Sequence, residues 1–236
     1  MKIKYVLHSV DNTDYYDFWP TTAAFCKRLG YTPVLFKIST KNSEPRETQN
    51  GIEINIQGTN IAPTSFQSQL ARMWGSVMFK DEVVMTSDID MFLLNKKYFD
   101  ESVSTAPVDS FVNLTSNAYD GVRIPMCYNI ATGETFTKIL NLTNSFSEFV
   151  SRVIHYQGLG WDSDEIFLGR HATIYSKYIG LYRSFNEKWE AKDRIDRNSY
   201  HFNEGDKNTY IDCHFLRPYI NHIVELNDLK KAYNIL

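Results

Sequence analysis

Cysteine is sparse in this chain of 236 residues: Cys26, Cys127 and Cys213 stand far apart, with no CxxC pair. An odd, scattered set argues against a disulfide framework and fits reduced thiols in a cytoplasmic protein. Long apolar runs are missing as well. The short run that opens the chain meets Asp11, Asn12 and Asp14, too soon for a signal peptide. Nothing later approaches the roughly 20 apolar residues of a membrane span. The Asn-Leu-Thr sequons at Asn113 and Asn141 therefore read as chance. Positive charge is not in excess either. The 25 Lys and Arg against 28 Asp and Glu leave a net charge of −3, and no basic face marks a nucleic-acid binder. No linker, internal repeat or low-complexity tract divides the chain, so one domain over residues 1–236 is expected.

What is abundant is aromatic: 15 Tyr, 15 Phe and 4 Trp. Such residues fill cores first, but they also stack on bases and sugar faces. The first half alternates strand and helix patterns. Residues 2–8 read as a buried strand ending in the polar cluster Ser9, Asp11 and Asn12. Phe18, Thr22, Phe25 and Leu29 recur at helical spacing, with Asp17 as N-cap, Pro20 in the first turn and Gly30 past the end. Residues 32–38 and 51–57 read as strands around a polar loop. A second helix starts near Thr64, with Phe66, Leu70, Met73 and Val77 as its apolar stripe and Arg72 on another face. Residues 82–86 then form an apolar strand that runs straight into Ser87-Asp88-Ile89-Asp90. Alternation of this kind predicts an α/β sheet, parallel at first, with ligands at the carboxyl ends of its strands.

The second half is less regular. Residues 110–114 and 125–130 read as strands, and 135–140 and 147–156 as helices. The turn Gly158-Leu159-Gly160 leads into Trp161-Asp162-Ser163-Asp164-Glu165 and a further helix. Residues 187–208 are charged and polar and read as a surface loop.

Asp88 and Asp90 flank one residue at a strand's end, so in a regular strand both side chains point to one face. Two carboxylates brought together repel unless a cation or proton intervenes. A hard ion, Mg2+ or Mn2+, suits two oxygen ligands plus a diphosphate. An Asp-x-Asp pair is also common in solvated loops, and its place after an apolar strand is what gives it weight. Asp162 and Glu165 have the spacing of a capping box, which leaves Asp164 without a structural duty.

The order of a helix bearing Arg72, an apolar strand and Asp88-Ile89-Asp90 resembles the GT-A glycosyltransferases and their DxD motif. The resemblance runs from the first strand to about Phe215, and its DxD segment is the specific part. The aromatic- and Asn-rich character is similar to small glycosyltransferases of large DNA viruses. It implies a Rossmann-like mixed sheet flanked by helices, with residues 1–95 binding a nucleotide-sugar, UDP by family habit, and residues 96–236 binding the acceptor, a glycan or glycosylated molecule. It further implies that Asp88 and Asp90 hold Mn2+ or Mg2+ with His214 as third ligand. His8, Ser9 and Asp11, together with Ser87 and Ile89, would contact the nucleotide, Arg217 would face phosphate, and Arg72 would reach the diphosphate or brace the DxD carboxylates. Asp164 would be the general base of an inverting enzyme, although Gly160-Trp161-Asp162-Ser163-Asp164-Glu165 departs from the usual order of that motif.

Three rivals stay open at this point. A nucleotidyltransferase shares the layout and the metal, but residues 8–17 lack the glycines of a phosphate loop. A haloacid-dehalogenase phosphatase carries Asp-x-Asp after its first strand, whereas here the pair follows a later one. A carbohydrate-binding protein could keep the fold without turnover.

Overall fold

The computed structural model describes residues 1–115, 119, 122–179, 182–184 and 193–235. Its first strand, β1 (Tyr5–Val10), is apolar towards both faces, as a central strand must be. Leu7 joins a core with Val34, Phe36 and Val84, while Val6 joins the opposite one with Met85 and Val112. β1 pairs in parallel with β2 (Thr32–Ser39) on one side and β5 (Val83–Thr86) on the other, and β2 pairs in parallel with β4 (Ile52–Gln57). Helix α2 (Trp19–Arg28) packs on β2, and α3 (Thr64–Trp74) lies across β1 and β2.

Beyond β5 the sheet turns antiparallel through β8 (Asn129–Thr132) and β7 (Phe111–Asn113), and β9 (Tyr182–Ser184) then adds in parallel. β3 (Arg46–Glu47) pairs antiparallel at the other edge, giving eight strands in the order β3-β4-β2-β1-β5-β8-β7-β9. The mixed α/β sheet flanked by helices is the class expected. The chain winds from β1 out to β4, then returns to β5 on the other side of β1. The carboxyl ends of β1 and β5 therefore form a switch point, where a crevice opens in open α/β sheets.

Several boundaries differ from expectation for local reasons. Asn12, not Asp17, caps a helix: its side chain accepts from the Tyr15 N–H and starts the short α1 (Thr13–Tyr16). The segment 125–130 is strand only from Asn129. Before it, the Asn129 amide donates to the carbonyls of Pro125 and Met126 at 2.9 and 3.1 Å and closes a loop, so the apolar run there marks burial, not pairing. Helix α4 (Lys96–Ser104), capped by Asn95, adds to the expected set, while α5 (Gly133–Leu140) and α6 (Phe146–Gln157) fall where periodicity placed them.

A second sheet carries the larger correction. β6 (Met91–Leu93) leaves the DxD segment and pairs antiparallel with β11 (Asp212–His214), which pairs in parallel with β10 (Arg194–Ile195). Of the expected surface loop, residues 187–192 lie outside the described residues. From residue 193 onward it is partly ordered by pairing: Arg194 Nε donates to Asp212 Oδ1 at 2.7 Å, and Ile195 is buried. Leu229 of the final helix, α8 (Ile223–Ala232), and Tyr233 just after it join Phe25 and Phe92 in a third core. Among the described residues no helix is long and apolar enough to cross a membrane. The three cysteines are free and buried.

Candidate active site

The turn after β5 is pinned from below. Ser87 N–H donates to Leu7 O at 3.0 Å, Thr22 Oγ1 donates to Ile89 O at 2.5 Å, and Met91 N–H donates to Asp88 O at 3.3 Å. His8 Nδ1 lies 3.2 Å from the Asp88 carbonyl, and its Nε2 lies 3.7 Å from Cys26 Sγ. Burial lowers the His8 pKa to about 4, so the ring is neutral. His8 thus sits wholly buried under the turn, where it braces the backbone and does not line the cleft. Ser87 is buried in the same way. Asp11 also stands outside the lining, with its carboxylate accepting from Thr64 Oγ1 at 3.0 Å and from Asn12.

The strand ends at Thr86, so Asp88 and Asp90 sit in a turn and not on one strand face. They keep different company. Asp88 pairs with Arg72 of α3, whose residue is only 8% exposed. Arg72 Nη1 also lies 3.4 Å from the Ser87 carbonyl, and Nη2 lies 3.6 Å from Asp164 Oδ2. Its buried Nε has no hydrogen-bond partner among the described residues. Burial would raise the Asp88 carboxyl, but Arg72, helped by His214 and Arg197, holds it below the usual range. Burial likewise opposes the Arg72 charge, which the flanking Asp88 and Asp164 more than restore.

Asp90, 4% exposed, turns towards the second sheet. Phe215 N–H donates to Asp90 O at 2.8 Å, continuing the β6–β11 pairing and setting His214 alongside. Three side chains then converge on Asp90 Oδ2: the guanidiniums of Arg197, Nη1 at 2.9 Å, and Arg217, Nε at 3.5 Å, and the imidazole of His214, Nε2 at 3.5 Å. His214 Nδ1 is 3.8 Å from Asp196. Arg217 also meets the Tyr15 hydroxyl and stacks 5.5 Å over that ring.

Asp164 enters from α7 (Ser163–Ile179). It is 2% exposed, and burial raises its pKa to about 7, with Arg72 opposing and Glu165 and Asp88 adding to the rise. A carboxyl near neutrality at the wall of a cleft is poised for proton transfer. Among the described residues the expected capping box does not close. Glu165 pairs with Arg123, and the Glu165 N–H donates to Asp164 Oδ1 at 2.9 Å. Gly169 of α7 lets the Arg123 segment lie this close, since a Cβ there would stand 1.6 Å from Val122 O.

These groups line one cleft of about 340 Å3 over the carboxyl ends of β1 and β5. Ser9, Arg72, Asp88, Ile89, Asp90, Asp164, His214 and Arg217 were all expected from the sequence and all line it. Tyr15, Arg123, Trp161, Glu165 and Arg197 line it too. Arg123 and Arg197 lie in stretches that resemble solvated loops and Tyr15 resembles an ordinary core aromatic, so no local signal singles them out, whereas Trp161 and Glu165 belong to the motif around Asp164. Trp161 is exposed at the rim, its carbonyl held by Gln69 Nε2 at 3.2 Å.

Among the described residues no group of three or more His, Cys, Asp and Glu side chains could hold a metal ion by itself. Asp90 and His214 suit a pair of ligands: their 3.5 Å separation is near the ~3 Å between adjacent ligands set ~2.1 Å from one ion. Asp88 is engaged by Arg72. One carboxylate and one imidazole leave the remaining ligands of such an ion to substrate oxygens and water.

No family model and no curated protein matches the chain. Solved structures similar in shape include the glycosyltransferase GlyE of Streptococcus pneumoniae TIGR4. One GlyE structure shows 12% identity over 79% of this chain and 46% of that one, with a TM-score of 0.48. Its apo form shows 10% identity over 98% and 64%, with a TM-score of 0.49. Mouse xyloside xylosyltransferase 1 shows 7% identity over 91% and 98%, with a TM-score of 0.38. The chain spans between about half and two thirds of the length of the GlyE structures. These are likenesses of shape, and the functional reading rests on the residues of the cleft.

Proposed function

We propose that this chain is a glycosyltransferase that moves a sugar from a nucleoside-diphosphate donor, UDP by its sequence resemblance, onto an acceptor hydroxyl. The observation that carries the reading is the convergence in one cleft, at the sheet's switch point, of Asp90 with Asp88 and the near-neutral Asp164, the last two linked through Arg72. Ser9, Tyr15, Ile89 and Arg217 line the nucleotide side, from residues 1–95 and the C-terminal segment. Trp161 and Tyr119 offer aromatic faces on the acceptor side, which suits a glycan.

In the inverting form of the reaction, Asp164 takes the proton of the acceptor hydroxyl. The acceptor oxygen bonds to the anomeric carbon from the face opposite the diphosphate. The bond from that carbon to the phosphate oxygen breaks, and the diphosphate leaves with the electron pair. Arg72 keeps Asp88 ionised and tempers the rise in the pKa of Asp164. A divalent cation, Mn2+ or Mg2+, held by Asp90 and His214, would supply Lewis-acid neutralisation of the leaving group. Holding the hydroxyl in line contributes several kcal/mol, with ~7–11 kcal/mol as the ceiling for ideal alignment.

Thermal unfolding against a panel of nucleotide-sugars, with and without Mn2+, tests the reading. A cognate donor at a hundredfold excess over its dissociation constant stabilises the fold by about 2.7 kcal/mol. Release of the nucleoside diphosphate should then require both donor and acceptor. No stabilisation by any nucleotide-sugar, with or without Mn2+, would remove the proposal.

A further inference from the structure

Arg72 and the pair Arg197 and Arg217 hold the two DxD carboxylates in different ways. The Arg72 side chain is 10% exposed and spans Asp88, Asp164 and the Ser87 carbonyl, so it is fixed on several sides. The side chains of Arg197 and Arg217 are 26% and 34% exposed and reach Asp90 from the solvent side of the cleft. Asp90 cannot be left buried without compensation, and these guanidiniums with His214 provide it. All three contacts fall on Oδ2, so a divalent ion that takes that oxygen must displace the guanidiniums from it. Once displaced, each presents a planar fork of donors suited to phosphate oxygens, in the same cleft.

We propose that Arg197 and Arg217 hold the place of the divalent ion on Asp90, and pass to the donor diphosphate when ion and nucleotide enter together. The proposal rests on the nucleotide-sugar reading above. Four carboxylates and four guanidiniums line the cleft among the described residues. An ion entering alone puts two uncompensated positive charges beside Arg197 and Arg217. A diphosphate entering alone competes with Asp90 for the same guanidiniums. Entering together they satisfy both sets, so each ligand raises the affinity of the other by one common factor. Arg197, which the sequence leaves in a charged loop, becomes a diphosphate-binding residue and the element that couples the two ligands.

Isothermal titration of the full chain at one pH tests this, using Mn2+ alone, UDP alone, and each in the presence of the other. Wild type should bind Mn2+ at least roughly tenfold more tightly with saturating UDP, and UDP should gain by the same factor with Mn2+. Arg197→Gln should bind Mn2+ alone more tightly than wild type, by roughly tenfold, because the competing charged hydrogen bond is gone. The same variant should bind UDP with Mn2+ more weakly. A merely structural ion pair would not move the two affinities in opposite directions. Arg197→Lys keeps the charge and loses the fork, so its affinity for Mn2+ alone should match wild type while UDP binding with Mn2+ falls. That second variant decides the matter if Arg197→Gln does not fold. Wild-type affinity of Arg197→Gln for Mn2+ alone, or of Arg197→Lys for UDP with Mn2+, overturns the inference and leaves the proposed function standing. Folded wild type that binds no UDP with Mn2+ present overturns both.

Discussion

Asp88 and Asp90 are one residue apart, yet they belong to different parts of the molecule. Asp88 is held by Arg72, 16 residues before it, on a helix packed against the parallel core of the main sheet. Asp90 is held by Arg197, 107 residues after it, and by two more groups carried by the small second sheet and the segment that follows it. The first acid is part of a crossover built from consecutive elements. The second is met by residues 197–217, carried by the second sheet and the segments beside it. Neighbouring residues can thus divide the work of one site, with one carboxylate braced and its neighbour, as proposed above, exchangeable.

The largest expected effect lies on the braced side. If Asp164 is the base proposed above, Asp164→Asn should lower turnover by ~10²–10⁴-fold while donor affinity stays within about twofold, because a general base acts on the acceptor. Steady-state kinetics beside UDP titration checks this, and unchanged turnover would reduce Asp164 to a structural carboxyl. The raised pKa carries a pH signature of its own. The base must be ionised, so turnover should fall as pH drops through about 7. Stability runs the other way. The pKa of Asp164 is about 7 in the fold against about 4 when unfolded, so the buried charge destabilises above pH 7, and that cost fades as pH falls from 7 towards 4. Asp164→Asn should therefore be more stable than wild type at pH 8 and lose most of that advantage by pH 5. Urea melts at the two values measure it, and an advantage that grows on acidification contradicts the assignment.

On the exchangeable side, Asp90→Asn should abolish the Mn2+ dependence of UDP binding, and His214→Ala should weaken Mn2+ in the presence of UDP by at least ~10–100-fold. If both variants titrate like wild type, the ion is not bound at this edge. A smaller effect is expected away from both acids. Gly169→Ala forces a methyl against the Val122 carbonyl and should cost about 1–3 kcal/mol in a denaturant melt, loosening the segment that presents Arg123. The smallest belongs to Asp162. Its carboxylate is 3.9 Å from Arg123 at the surface and makes no capping bond among the described residues, so Asp162→Ala should cost under about 0.5 kcal/mol. A loss above 1 kcal/mol would restore the capping account.

The parallel half of the fold was legible because its information is local. Val6 and Leu7 face opposite cores within one strand, Phe66, Leu70 and Met73 repeat at helical spacing, and the strand that ends at Thr86 delivers Asp88 and Asp90 to a sheet's carboxyl edge. Residue type and spacing along consecutive elements therefore determined the α/β class, the crevice and its two acids, together with Arg72. The partners of those acids were a matter of tertiary structure. His8 reads as a nucleotide contact from its place at a strand end, but only the packing of β1 between β2 and β5 decides that its ring is buried beneath the turn. Arg197 lies in a charged stretch whose pattern matches any solvated loop. It reaches Asp90 because β6 pairs with β11 and β11 with β10, a contact between residues more than a hundred apart that leaves no periodic trace in either segment. The near-neutral Asp164 has the same origin, since desolvation depends on what the rest of the chain places around a carboxyl and not on the residues beside it in the sequence.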